Sequence, residues 1–470
     1  MASLSSYLSP LTTEVDTICA PATAVGGALA IIRVSGPQAF SIVSTLCSLY
    51  CSGAAANTVH YTRLIAPVPA GSPAGQEVID EALVTIFRAP HSYTGEDSVE
   101  ISCHGSSYIV NKVLELLIQN GCRMANPGEF TQRAYLNGKL DLSQAEAVAD
   151  LIASTNRATH QLAMSQLRGG ISSELSALRD QLLKLTSLLE LELDFSDHED
   201  LEFADRTELL ALAKKIDTHI TRLAKSFETG QALKSGIPVA IVGKTNVGKS
   251  TLLNALLKDN RAIVSDVHGT TRDTIEETMD INGIQFRFID TAGLRKTDDE
   301  VEQIGIERTI QKIKQASIVI WLLDQRPTWS EIDEMHELSK GKKCIYVHNK
   351  ADLIDIHKFN PYILPLSMIS AKTGKGISNL RKRIFEEAER AGLTLNANEI
   401  IVTNARHYDA LTRAHSHLQR VLDGLHNNLS GDLLSENLRL TLDTLAEITG
   451  GQITPNDVLE NIFKHFCVGK

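Results

Sequence analysis

The chain has 470 residues, enough for about three domains, with 46 Lys and Arg against 57 Asp and Glu and a formal net charge of -11. That acidic balance argues against a surface given over to nucleic acid, although a local basic patch is compatible with it. The cysteines at 19, 47, 51, 103, 122, 344 and 467 are odd in number and lack metal-ligand spacing, which points to a reducing cytosol rather than a disulfide framework.

Met1–Ala20 has no Lys or Arg and no apolar core, so neither a signal peptide nor a transit peptide is expected. No apolar run reaches membrane-spanning length, and the expected location is the cytoplasm. Residues 1–137 read as an α+β domain. Strands are expected at Ala28–Val34, Leu83–Phe87 and Ser98–His104, and a helix at Ile109–Gln119, closed by Asn120-Gly121. Long helices follow from Ser143 to about Lys234. Leu175, Leu178, Leu182, Leu185 and Leu189 recur at three- and four-residue steps and line one face. The acidic stretch Asp194–Asp205 reads as a solvated loop. Helical spacing returns at His415–Leu425, Leu433–Ile448 and Pro455–Phe466. Residues 138–235 and 391–470 therefore read as one discontinuous all-α domain with residues 236–390 inserted between its halves; the alternative is two separate helical domains.

The inserted segment alternates strand and helix, with strands expected at Val239–Val242, Gln285–Ile289, Ile318–Leu323, Cys344–Val347 and Ile363–Leu366. Gly243-Lys244-Thr245-Asn246-Val247-Gly248-Lys249-Ser250 matches the phosphate-binding loop G-x-x-x-x-G-K-[ST] between a β-branched run and the helical stretch Thr251–Leu257. Glycines let backbone N–H groups turn toward phosphate oxygens at a helix N-terminus. Lys249 would neutralise the β- and γ-phosphates, and Ser250 would ligate Mg²⁺. Asp290-Thr291-Ala292-Gly293 follows another strand, where the Asp can hold a Mg²⁺-bound water and the Gly N–H can bond the γ-phosphate. In Asn349-Lys350-Ala351-Asp352, Asp352 can accept from both donors of guanine, Asn349 would brace the loop, and the Lys350 stem would cover the base. Ser370-Ala371-Lys372 supplies the last base-contacting backbone. In Gly269-Thr270-Thr271-Arg272-Asp273, Thr271 is the expected switch ligand to Mg²⁺. Each motif alone is weak. Four in the right order indicate a Ras-like α/β P-loop GTPase domain. Leu294 stands where a Ras-like enzyme has its water-orienting Gln, so another polar residue must do that work or catalysis is slow.

The GTPase motifs resemble the Era, Der and TrmE group. The resemblance extends through Arg33-Val34-Ser35-Gly36, Tyr93-Thr94-Gly95-Glu96-Asp97, Asn126–Ala134, Asn137–Ala147 and the terminal Phe466-Cys467-Val468-Gly469-Lys470. Over essentially the full length the chain is similar to the MnmE (TrmE) family of tRNA modification GTPases. The family's architecture implies a multidomain fold: an α+β N-terminal folate-binding and dimerisation domain, a discontinuous helical domain and an inserted GTPase domain. It implies a homodimer, and a complex of heterotetramer size or larger with an FAD-dependent MnmG (GidA)-type protein. Together these would place a carboxymethylaminomethyl or aminomethyl group on C5 of the wobble uridine, U34, of certain tRNAs, the carbon coming from a tetrahydrofolate derivative (5,10-methylene or 5-formyl).

Residue by residue, the resemblance implies folate contacts at Arg33, Glu100, Lys139 and Lys470. It implies Mg²⁺ ligands at Ser250 and Thr271, and K⁺ ligands at Asn246, Ser265, Val267 and Thr270. Val247, Gly248, Lys249 and Thr251, with Asp266, His268 and Gly269 of the switch segment, complete the nucleotide contacts. Glu302 falls on the family's water-orienting Glu, which answers the gap left by Leu294. Read without the family, Glu100 is a solvent-facing strand residue, Asn246 a turn residue and Glu302 a solvated helix start. Cys467 has two readings, a reactive thiol or a structural one. Ser106-Ser107 after His104-Gly105 departs from a further Gly common in the family and leaves that loop's shape open. Two other functions compete: an Era- or Der-like switch in ribosome assembly or RNA binding, and a folate-binding scaffold whose GTPase only sets conformation. An acidic, leucine-rich helical block after the GTPase segment, where the former would need a basic RNA-binding module, favours the tRNA reading.

Overall fold

The computed structural model describes residues 16–66, 77–194, 206–258, 277–289, 310–353, 366–395, 399–427, 429–451, 459, 462–464 and 466–469. The chain forms two compact units, Met1–Ile152 with Gln166–Ser173 and Ala446–Lys470, and Ala153–Ser165 with Glu174–Leu445.

The first unit is built on a six-stranded sheet: β1 (Thr17–Pro21), β2 (Leu29–Ser35), β3 (Thr58–Ala66), β4 (Glu77–Phe87), β5 (Ser98–His104) and β6 (Cys122–Met124), in the order β3-β4-β5-β2-β1-β6. All pairs are antiparallel except β1 with β6. Strand residues alternate faces, so Ile32, Val34, Val84, Ile86, Val99 and Ile101 share one side and are buried against α1 (Ala39–Leu46) and α2 (Ser107–Gln119). Each such side chain contributes about 1.5–3 kcal/mol on burial. Ser106 and Ser107 form the N-terminal boundary of α2, and a Cβ at Gly105 would overlap the Gly27 carbonyl, so the glycine there lets two loops touch. α3 (Glu129–Leu136) and α4 (Leu142–Ala153) follow, and Leu142 and Ala145 pack against Leu459 and Phe463 near the end of the chain.

The second unit contains most of α5 (Arg157–Leu167) and of α6 (Gly170–Asp194), and all of α7 (Arg206–Ser235). All five leucines from Leu175 to Leu189 are buried, as their spacing requires. A second sheet follows: β7 (Ile237–Val242), α8 (Lys249–Leu257), β8 (Glu277–Ile281), β9 (Ile284–Phe288), β10 (Ile318–Leu323), α9 (Trp329–Leu338), β11 (Lys343–His348), β12 (Ser367–Met368) and α10 (Ile377–Arg390). Its order is β12-β11-β10-β7-β9-β8, parallel except for the β8–β9 hairpin. The chain enters this sheet from the end of α7. It returns beside the same helix, where Val402 N donates to the Ser226 hydroxyl (3.0 Å) and Gln231 Nε2 to Thr403 O (2.9 Å). α11 (Ala405–His426), begun by an Asn404 cap on Arg406 N, then packs along α7, and α12 (Gly431–Thr449) follows it.

The expected strand at 363–366 and helix at 455–466 lie mostly outside the described residues, as does the acidic stretch after Asp194. Among the described residues four strands have no counterpart in the sequence reading, namely β1, β3, β6 and β8, and β12 begins one residue past the expected 363–366. Among the described residues no helix is long and apolar enough to cross a membrane.

Candidate nucleotide site and N-terminal site

Ligands of open parallel sheets sit beyond the carboxyl ends of the strands, and in the second unit those ends carry the loops that the sequence singles out. After β7, Gly243 has φ 152° and Gly248 φ 99°, and Asn246 takes φ 60°. A Cβ at Gly248 would overlap the Asn349 side-chain nitrogen, so only glycine lets the two loops meet. Gly248 is the N-cap of α8, which puts Lys249, Ser250 and Thr251 in its first turn, at the positive end of the helix dipole. The Lys249 ammonium donates to Gly243 O (2.8 Å) and Lys244 O (2.7 Å), so it lies over the loop's concave side. Burial and nearby Lys312 hold its pKa below the usual lysine range. A polyanion at this loop would relieve both effects, so the donor set fits phosphate.

Asn349 joins two loops. Its amide donates to Val247 O (2.8 Å), and its oxygen accepts from Ala371 N (2.9 Å). Its own N–H reaches Leu323 O (2.7 Å), and the residue is 3% exposed. Lys350, at φ 60°, places its ammonium 2.7 Å from Asp324. Asp352 is exposed, and hydrogen bonding from Ser370 holds its carboxyl below the usual range. It is therefore an ionised acceptor at neutral pH. Ser370 is fully buried, Ala371 nearly so, and Lys372 points into solvent. Thus Asn246, Val247, Gly248, Lys249, Ser250, Thr251, Asn349, Lys350, Asp352, Ser370, Ala371 and Lys372 lie on the loops and the first turn of α8 at the carboxyl ends of the strands of one sheet. Ser265, Asp266, Val267, His268, Gly269, Thr270, Thr271, Asp290, Thr291, Ala292, Gly293 and Glu302 lie outside the described residues.

The first unit holds a second cluster. Arg33 and Glu100 face each other across β2 and β5. Arg33 donates twice to Glu100 Oε1, at 3.0 and 2.7 Å, and once to Gly469 O at 3.4 Å. Its guanidinium lies 5.3 Å from the Tyr93 ring centre and 5.6 Å from that of Phe130. Both Arg33 bonds use Oε1, so Glu100 Oε2 takes no part in that pair. Lys139 donates to Pro90 O (2.9 Å). Gly469 takes φ 91°, and a Cβ there would overlap the Pro21 carbonyl. The Cys467 carbonyl accepts from Gly128 N (3.4 Å), and Cys467 is exposed with no disulfide partner. Lys470 lies outside the described residues.

Sequence reasoning missed Asp324, Gly469, Tyr93 and Phe130 as members of these clusters. It also missed the Lys244–Glu331 ion pair (2.6 Å), which ties the phosphate loop to the capping box of α9. Only that capping box, Thr328 with Glu331, carries a local sequence signal.

A parallel sheet with a glycine loop opening a helix, and an Asn-Lys-Ala-Asp loop braced against it, defines a P-loop guanine-nucleotide-binding protein, a GTPase. Residues 17–139 match the family described as "GTP-binding protein TrmE N-terminus" and residues 142–467 that described as "MnmE helical domain". The tRNA modification GTPase MnmE of Bacteroides thetaiotaomicron is 53% identical over 474 residues, covering 97% of this chain and 99% of that protein. The proteins of the same name from Porphyromonas gingivalis and Flavobacterium johnsoniae are 50% and 48% identical, each over 97% of this chain and 98% and 99% of theirs. The chain belongs to the MnmE family of tRNA modification GTPases, and it is a GTP-hydrolysing enzyme.

Proposed function

We propose that the chain uses GTP hydrolysis to drive modification of C5 of the wobble uridine of certain tRNAs. It acts as a homodimer in the cytoplasm, with an FAD-dependent MnmG-type protein as partner. The product is a carboxymethylaminomethyl or aminomethyl uridine, and a bound tetrahydrofolate derivative supplies the one-carbon unit. The observation that carries this reading is the pairing of two sites in one chain: a guanine-nucleotide edge, and an Arg33–Glu100 pair closed by the chain's own Gly469.

The residues divide the work as follows. Asp352 selects guanine by accepting from its two N–H donors; Asn349 keeps the base and phosphate loops in register. Lys249 and the first-turn N–H groups of α8 neutralise the phosphates. Ser250 and Thr271 would hold Mg²⁺, and Asn246, Ser265, Val267 and Thr270 would hold K⁺. Held there, these cations would add positive charge where the phosphoryl group transfers. Asp290 to Gly293 contact the γ-phosphate region, and Glu302 orients the attacking water in place of the side chain missing at Leu294. Arg33, Glu100, Lys139 and Lys470 hold the folate, with the Glu100 carboxylate, itself held by Arg33, toward the pterin and the lysines toward the glutamyl tail. The domains are 1–137, 138–235 with 391–470, and 236–390. Cys467 is exposed and available for chemistry on the uridine.

Reconstitution tests this. Purified chain, FAD-loaded partner, methylene-tetrahydrofolate, GTP, unmodified tRNA and an amine donor (glycine for the carboxymethylaminomethyl product, ammonium for the aminomethyl one) should give modified U34 by mass spectrometry, and omission of GTP should abolish it. Modification that proceeds equally without GTP would refute the coupling. The ribosome-assembly alternative predicts normal U34 in cells lacking the chain and an accumulation of ribosomal precursors.

A further inference from the structure

Asn349 and Asp352 account for loop bracing and base reading, but the residue between them that should cover the base, Lys350, has a flexible four-carbon stem. A flexible stem makes a poor wall unless both of its ends are fixed. One end is fixed by the backbone: Lys350 takes φ 60°, a left-handed conformation that a non-glycine residue keeps only where its surroundings impose it. The other end is fixed by Asp324, whose Oδ2 lies 2.7 Å from the ammonium.

The placement follows from the sheet. β10 and β11 run parallel with Leu323 opposite His348, so Asp324 and Asn349 leave adjacent strand ends side by side. Asn349 N bonds Leu323 O at 2.7 Å and locks that spacing. His348 is 3% exposed, its Nδ1 lies 2.9 Å from Asn349 O, and burial lowers its pKa, so it is neutral at pH 7. Lys350 is then the cation that satisfies Asp324. The two side chains are 39% and 27% exposed, which makes the pair firmer than a surface ion pair and still open to the nucleotide.

We propose that Asp324 is a positioning residue for guanine nucleotides: it holds the Lys350 side chain extended beside the Asn349–Asp352 loop, so that the stem is already set as one wall of the base slot. Asp324 acts through Lys350 and on the ground state, so it strengthens GTP and GDP binding alike and leaves the hydrolytic step alone. The proposal rests on the guanine reading of that loop.

The test uses the full chain and fluorescent GDP and GTP analogues. Asp324→Ala should weaken both nucleotides about tenfold, with kcat at saturating GTP within about twofold of native and KM raised by the same factor as Kd. Asp324→Asn keeps an acceptor oxygen, is close to isosteric and should recover part of the loss; it also serves if the Ala variant folds poorly. Lys350→Met should weaken binding, and adding Asp324→Ala to it should cost nothing further. Native affinity in the Ala and Asn variants, or full additivity with Lys350→Met, would overturn the proposal. If the native chain itself fails to bind GDP, the guanine reading falls instead, which is a distinguishable result.

Discussion

Asn349→Ala tests the idea that one buried amide holds the phosphate and base loops together. The truncation strands two groups, the Val247 carbonyl and the Ala371 N–H, which the amide now meets at 2.8 and 2.9 Å. Both residues are nearly buried, at 1% and 6% exposure, so water cannot readily replace the lost partner. A buried polar group left without a partner costs about 1–3 kcal/mol, so the pair costs about 2–6 kcal/mol. That is a large part of the 5–15 kcal/mol by which a typical domain is stable. Some of the loss is recovered by loop relaxation, which the nucleotide must then reverse on binding. If about 2 kcal/mol appears in this way, GDP affinity falls about thirtyfold. Asn349→Asp should do no better, because it keeps the acceptor for Ala371 N but turns a carboxylate toward the Val247 carbonyl. The assay is titration with fluorescent GDP, paired with thermal unfolding in the absence of nucleotide. A variant with native affinity and an unchanged midpoint would refute the bracing argument.

Asp352→Asn replaces an ionised acceptor with an amide and should remove the preference for guanine; competition against xanthosine and guanosine triphosphates reads it, and unchanged GTP affinity would count against the assignment. If the proposed K⁺ ligands hold that ion, GTP hydrolysis should run much faster in K⁺ than in the smaller Na⁺; equal initial rates would remove that site. Burial alone would raise the Glu129 pKa, but hydrogen bonds from Arg123, Asn126 N and Arg133 outweigh it and leave the pKa depressed, and Asp16 is lowered chiefly by Arg123. Depressed carboxylates contribute stability that is fully present above their unfolded values, 4.5 and 3.8, and is lost as pH falls through the folded ones. Acid unfolding followed in the first unit should therefore steepen below about pH 4.5, and Glu129→Gln should flatten that slope. Gly469→Ala places a Cβ against the Pro21 carbonyl and should lift the tail from Arg33; weakened folate binding by fluorescence titration is expected, and native binding would separate the tail from the site.

The parts of this molecule that were legible in its sequence are those whose physics is local. The β-branched runs ending in Val242, Leu323 and Val347 are buried strands because nothing but a core suits them. The leucine spacing from Leu175 onward needs one apolar face. Three of the four missed strands lack such a signature. β1 is five residues ending in Pro21, and β6 only three. In β3 the exposed positions Val59 and Tyr61 are as apolar as the buried Leu64, so no clean alternation marks it. β8 could have been found: Asn282-Gly283, at φ 55° and 83°, is the turn signal of a tight hairpin, and Met279 and Ile281 alternate ahead of it. The nucleotide loops were readable because each motif is contiguous. The contacts that tie them together, Asp324 to Lys350 and Asn349 to Val247, depend on which strand ends lie side by side. Gly469 meets Arg33 from 436 residues away, and no spacing rule reaches that far.

The central claim is that GTP hydrolysis at this site is what tRNA modification by this chain depends on. The most direct measurement is mass spectrometry of wobble uridine in tRNA from cells in which the native copy is replaced by Glu302→Gln, with protein level and GDP binding shown to be native. Loss of the modified nucleoside, with unmodified uridine in its place, is the predicted result. Normal modification despite abolished hydrolysis would contradict the account.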